Sequence, residues 1–99
     1  MSFLFWYNTY KFDINEKKIF NKYVNKSSEY IIAEKWNYAL EYLKRAEQTN
    51  YVSSRLYYNK GIAYFRLKKK GKLKKVIRKA KKNLYFEVVD ILKSKLEKL

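Results

Sequence analysis

A chain of 99 residues with a net charge of +15, eleven Tyr, six Phe and no Cys, His or Pro leaves a narrow set of possibilities. Without Cys there are no disulfides, thiolate metal sites or thiol catalysis, and without His the commonest general base and metal ligand are missing. The length fits one small domain, and an apolar content of 47% with only Gly61 and Gly71 as breakers favours long helices over a turn-rich β fold. Abundant Lys, Asn, Tyr, Ile and Phe fit an A/T-biased genome, so where the charge sits carries more than how much there is.

In chain order, the opening Met1 to Tyr7 lacks a basic leader, is interrupted by Asn8 and Thr9, and is too short to span a bilayer. The expectation is a soluble, cytoplasmic protein with no transmembrane segment. Residues 1 to 12 are aromatic and weakly patterned, either a strand-like arm or a short capping helix, and read as a hydrophobic cap. Asp13 followed by Glu16 has capping-box spacing and predicts a helix from there to about Ala33, with Ile19, Phe20, Tyr23, Val24, Tyr30 and Ile31 as its apolar stripe. A tight turn at Lys35 to Asn37 leads into a second helix from about Asn37 to Gln48, with Tyr38, Ala39, Tyr42, Leu43 and Ala46 inward. After a loop at Asn50 to Ser53, Ser53 or Ser54 is a suitable N-cap for a helical hairpin reaching Leu84. Its stripes are Tyr57, Tyr58, Gly61, Tyr64 and Phe65, then Leu73, Val76, Ile77, Ala80 and Leu84, with a basic turn at Lys68 to Lys72 broken by Gly71. A last helix, about Tyr85 to Lys98, begins with Glu87 and Asp90 and ends with Lys95 and Lys98, the order that complements the helix dipole. Val88, Leu92, Leu96 and Leu99 form its stripe.

Shifting the chain by 34 residues lays one hairpin on the other without a gap. Tyr23 meets Tyr57, Ser27 meets Gly61, Tyr30 meets Tyr64, Ala39 meets Leu73, Leu43 meets Ile77 and Ala46 meets Ala80. The small residues let neighbouring helices approach and the large ones fill the gaps between. This pattern resembles the tetratricopeptide repeat: a helix–turn–helix with aromatics at two places in its first helix, a small residue between them, and Ala in its second. Trp36-Asn37-Tyr38-Ala39-Leu40-Glu41-Tyr42 is similar to the family's second-helix opening. Leu73 departs from the family's Ala, and Tyr51 and Tyr85 stand where its closing Pro would be.

The resemblance implies an all-α fold of stacked antiparallel helical hairpins, an α-α superhelix of two repeats. In it, 1–19 is an N-terminal cap and helix start, 20–53 repeat one, 54–87 repeat two and 88–99 a capping helix. Two repeats fall short of the usual three, which leaves terminal caps, or a homo-oligomer through the exposed repeat ends, to supply the missing burial.

No catalytic set, phosphate loop, cofactor site or metal site emerges, so a non-enzymatic protein is expected. In the resembled family the first helix of each repeat lines a concave groove for a partner's peptide or helix. That groove maps to Asn21, Val24, Asn25, Ser28, Ile31 and Ile32 in repeat one, and to Arg55, Tyr58, Asn59, Ile62, Phe65 and Arg66 in repeat two. Val24 and Ser28 do not match the family's carboxylate clamp, which disfavours a chaperone-tail ligand. The expected function is a protein–protein interaction scaffold or adaptor. The alternative is non-specific binding of nucleic acid, an acidic protein or another polyanion through Lys68, Lys69, Lys70, Lys72, Lys74, Lys75, Arg78, Lys79, Lys81 and Lys82. No acidic residue lies between Gln48 and Phe86.

Overall fold

A computed structural model describes the backbone of residues 3–99 and the side chains of residues 15–99. Among the described residues there are five helices and no strand: α1 (Phe3–Ile32), α2 (Trp36–Glu47), α3 (Ser54–Arg66), α4 (Lys70–Lys82) and α5 (Phe86–Leu96). The all-α expectation holds, and α2, α3 and α5 lie within about two residues of their predicted bounds, while α4 begins at Lys70, inside the turn expected at Lys68 to Lys72.

The first helix differs. It runs unbroken for 30 residues from Phe3, so Asp13 lies inside it and the capping-box spacing marks no start. With neither Gly nor Pro in this stretch, nothing in the backbone stops the helix, and Asp-x-x-Glu is equally compatible with a helix interior. The arm or separate capping helix expected at the N-terminus is therefore one continuous element with the first helix; the packing of its aromatic side chains lies outside the described residues.

Turns recur with the 34-residue period. Glu34 and Lys68 both take left-handed backbone, φ 58° and 57°, and Asn50 and Leu84 repeat it at φ 68° and 65°. In the first pair the Lys35 N–H bonds the Tyr30 carbonyl at 2.9 Å, and the Lys69 N–H bonds that of Tyr64 at the same distance. Both are Schellman closures, in which a left-handed residue turns the chain back to satisfy carbonyls the helix end leaves open. Gly71 does not make the hairpin turn: it sits in the first turn of α4 with open space where a side chain would be. Lys68 makes the turn instead, at the position where glycine would be the ordinary choice. Among α2 to α5 only α3 has a side-chain N-cap, the Ser53 hydroxyl accepting from the Leu56 N–H at 3.1 Å.

Packing follows the small residues. Helices α1, α3 and α5 touch in sequence as one layer, α2 lies on α1 and α3, and α4 lies on α3 and α5. Among the described residues α2 and α4 do not touch each other. Ser27 is fully buried where α1 meets α3, and Gly61, 34 residues on, is buried under the Leu92 side chain of α5. Leu43, Leu56, Leu73 and Leu92, all at 0% exposure, anchor the core, each worth roughly 2 kcal/mol in removed apolar surface. Between α1 and α2, Tyr30 stacks on Tyr38 and Tyr42 at 5.4 and 5.5 Å, and Tyr23 meets Tyr42 at 6.2 Å. Tyr51 packs on Phe20 and Tyr85 on Tyr57, each just ahead of the helix that follows it.

Some expected core positions are not core. Tyr38 is 57% exposed and Leu84 70%, and Ile19 and Leu99 are also exposed. Tyr38 lies flat on Tyr30 with its other face in solvent, and Leu84 is the left-handed turn residue after α4, which points its side chain away from the helix stripe.

Candidate functional site

The groove mapped from the sequence is partly used up inside the fold. Val24 is 1% exposed and belongs to the core, and Ile62 and Phe65 pack against it, Phe65 with the Lys95 ammonium 5.4 Å above its ring. Asn59 is 3% exposed, and its amide donates to the Ser27 and Ser28 hydroxyls at 3.0 and 2.9 Å, while Ser27 donates on to the Val24 carbonyl at 2.7 Å. Asn59 is thus a polar clamp between α1 and α3, not a free groove residue. Every donor it spends there is lost to a ligand.

Arg55 and Asn25 face each other across the same two helices, the guanidinium donating to the amide oxygen at 2.6 Å, and both stay solvent-exposed. Arg66 does not join them. At the far end of α3 it pairs with Glu34 at 3.5 Å and stacks over Trp36 at 4.8 Å, tying α3 to the turn of the first hairpin. Of the mapped groove, Asn21, Asn25, Arg55 and Tyr58 remain exposed, with Ser28, Ile31 and Ile62 half-buried, and Ile32 stands 83% exposed at the end of α1.

The basic face stays wholly open. All ten of its predicted residues, Lys68 through Lys82, are exposed, and none forms an ion pair among the described residues. On α4 the division is complete: Leu73, Val76, Ile77 and Ala80 are buried, and every other side chain is Lys or Arg apart from the bare Gly71. At 100° per residue these cations sweep an arc of about 200°. Like charges four apart, such as Lys74 with Arg78 and Lys75 with Lys79, each cost an exposed helix about 0.2–0.5 kcal/mol. Two of the three basic side chains of α3 are neutralised locally, Lys60 by Glu47 of α2 at 2.9 Å and Arg66 by Glu34, while Arg55 bonds the neutral Asn25 amide. Beside α4, a cleft of about 170 Å³ is lined by Lys60, Tyr64, Lys72, Lys75, Val76 and Lys79.

One further surface escaped the sequence reading. Leu84, Phe86 and Ile91, at 70%, 56% and 41% exposure, border a hollow of about 480 Å³ that also takes in Ser54 and Val88, where the stack of hairpins stops. Helical periodicity counted Leu84 as core because it cannot register the left-handed turn that takes this residue off the α4 stripe.

Among the described residues no group of three or more acidic side chains could hold a metal ion, and no helix is long and apolar enough to cross a membrane. Among the described residues Tyr57 is the one buried group with a perturbed acidity. Burial first, then the nearby Glu47 carboxylate and Tyr85, push its phenol above the usual tyrosine range, and its hydroxyl accepts from the Asn83 amide at 3.2 Å. That is the state of a core tyrosine, not of a reactive one. Comparison with family models, curated proteins and solved structures finds no match to this chain.

Proposed function

We propose that this protein is a non-enzymatic interaction module built like a pair of tetratricopeptide repeats, receiving a segment of a partner protein across the layer of α1, α3 and α5. The observation that carries this reading is the layering itself: those three helices touch in sequence while α2 and α4 stay apart. An inner layer in contact and an outer layer splayed open curve a stack of hairpins so that the inner helices line its concave side. The recurrence of turns at Glu34 and Lys68, and at Asn50 and Leu84, supports two copies of one unit.

The partner surface on this reading is smaller than the sequence implies. Asn59 and Val24 drop out as packing residues, and Arg66 is engaged with Glu34 and Trp36. The exposed Asn25–Arg55 pair, Ser28, Tyr58 and Ile62 remain, and a second surface, the apolar end at Leu84, Phe86 and Ile91, is of the kind that marks protein contacts.

Site-specific photocrosslinking in the native cell tests this. A photoreactive residue at position 58 is expected to yield a discrete crosslinked protein that one at Lys44, exposed on α2, does not. Arg55→Ala should weaken that crosslink. Equal crosslinking from both positions would overturn the inner-face assignment.

A further inference from the structure

The outer face of α4 has a density and purity of charge that the interaction reading does not use. Eight cations stand on a helix of 13 residues, with no anion and no exposed apolar side chain among them. At 1.5 Å per residue the helix is about 20 Å long, which places a positive charge roughly every 2.5 Å. Duplex DNA carries a negative charge about every 1.7 Å of its axis, so the two linear densities are of the same order. We propose that the outer face of α4 docks on the phosphate backbone of a nucleic-acid duplex without reading its sequence.

The chemistry of the face discriminates among anions. An interfacial membrane helix needs Trp, Phe or Leu to insert beside its cations, and the exposed arc of α4 has none. Single-stranded nucleic acid is held by aromatic platforms, and no aromatic stands on that arc either. Geometrically selective base-edge readout is strongest from planar groups such as the Arg fork, whereas seven of the eight cations are Lys, compact point charges, and only Arg78 offers that fork. Point charges spread over a wide arc suit oxygens whose exact placement does not matter, as on a duplex backbone.

The structure also explains why these charges stay free. Glu47 and Glu34 are already paired with Lys60 and Arg66, and among the described residues no carboxylate, those of Glu87, Asp90 and Glu97 on the neighbouring α5 segment included, stands within ion-pair distance of the α4 cations. The cleft of Lys72, Lys75 and Lys79 beside Tyr64 gives one phosphate a concave seat at its margin. Lys75, Arg78, Lys79 and Lys82 continue the surface along the helix.

The test is fluorescence anisotropy of the full chain with a labelled random-sequence 24-base-pair DNA duplex, across a salt titration. Expected are a Kd of about 10⁻⁵ M near physiological salt and a log–log salt slope of about −4, for four to five phosphates contacted at once. Three unrelated duplex sequences should bind within about twofold of one another. The quadruple variant Lys74→Glu, Lys75→Glu, Lys79→Glu, Lys82→Glu should lose about 100-fold in affinity. A control with Lys17→Glu, Lys18→Glu, Lys22→Glu and Lys35→Glu lowers the net charge equally, from exposed positions elsewhere, and should lose less than about tenfold. Unchanged helicity by circular dichroism in both variants separates loss of the face from loss of the fold. If the quadruple variant unfolds, the pair Lys74→Gln and Lys82→Gln, expected to lose about tenfold, takes its place. The proposal is overturned by absence of binding at 50 mM salt, by equal losses in the two charge-reversal variants, or by tighter binding to polyglutamate or to phosphatidylserine vesicles than to the duplex at matched charge. The photocrosslink at position 58 does not involve α4, so either result can fail without the other.

Discussion

Replacing Gly61 by Ala places a methyl group 2.9 Å from Leu92 Cγ and closer still to both of its Cδ atoms. Leu92 is fully buried, so its side chain must shift within the packed core to make room. Overpacking of this kind costs about 1–3 kcal/mol, while Ala in place of Gly inside a helix returns about 1 kcal/mol. The net expectation is a loss of about 1 kcal/mol, or roughly 4–8 °C in Tm at this chain length. Leu92→Ala alone should cost about 2–5 kcal/mol through the cavity it leaves. In that background the new methyl meets no leucine and partly fills the void, so Gly61→Ala should now stabilise by about 1 kcal/mol. The sign reverses, with a coupling of about 2 kcal/mol between the sites. Urea denaturation of the four proteins measures it, with Leu92→Val as a milder background if Leu92→Ala is too unstable. A change of the same sign and size in both backgrounds would refute the close approach of α5 to α3, and with it the layer on which the interaction reading depends.

Other expectations follow from single contacts. Asn59→Ala should cost about 1–3 kcal/mol in urea denaturation, because the buried Ser27 and half-buried Ser28 hydroxyls lose their donor across α1 and α3, and a neutral result would show the clamp idle. Ser53→Ala removes the side-chain cap of α3 and should cost about 1 kcal/mol, read as a lower urea midpoint at unchanged slope. Leu84→Asn, at an exposed left-handed position, should raise Tm by a few degrees, since Asn tolerates that backbone better by about 1 kcal/mol; a drop would mean the Leu84 side chain has a partner. Folding raises the Tyr57 phenol above its unfolded value of 10.0, so the unfolded chain ionises first and stability should fall as pH rises past 10. Tyr57→Phe should show a shallower fall over that range, and identical slopes would refute the assignment.

The helices, their hairpin pairing and the 34-residue period are legible in the sequence because they depend on near neighbours. A stripe of Leu73, Val76, Ile77 and Ala80 can face only one way on a helix, and all four are buried. The small residues Ser27 and Gly61 mark where a second helix must come close, and the Ser53 cap is a local hydrogen bond. The unbroken α1 was not legible, since Asp13 and Glu16 have the spacing of a start while nothing near them signals continuation.

What each polar residue does was decided by tertiary structure. Asn59 and Arg66 look alike in a helical projection, both on the presumed groove, yet one bonds two serines of another helix and the other reaches a turn 32 residues away. Sequence spacing places a side chain on a face but does not say which groups stand opposite, and only those groups determine whether its hydrogen bonds are already spent. The same holds for the lysines of α4: their number is visible in the chain, but only the fold shows that Glu47 and Glu34 are paired elsewhere and that, among the described residues, no acid of the neighbouring α5 reaches them. Charge belongs to the sequence; its being unanswered is a property of the fold.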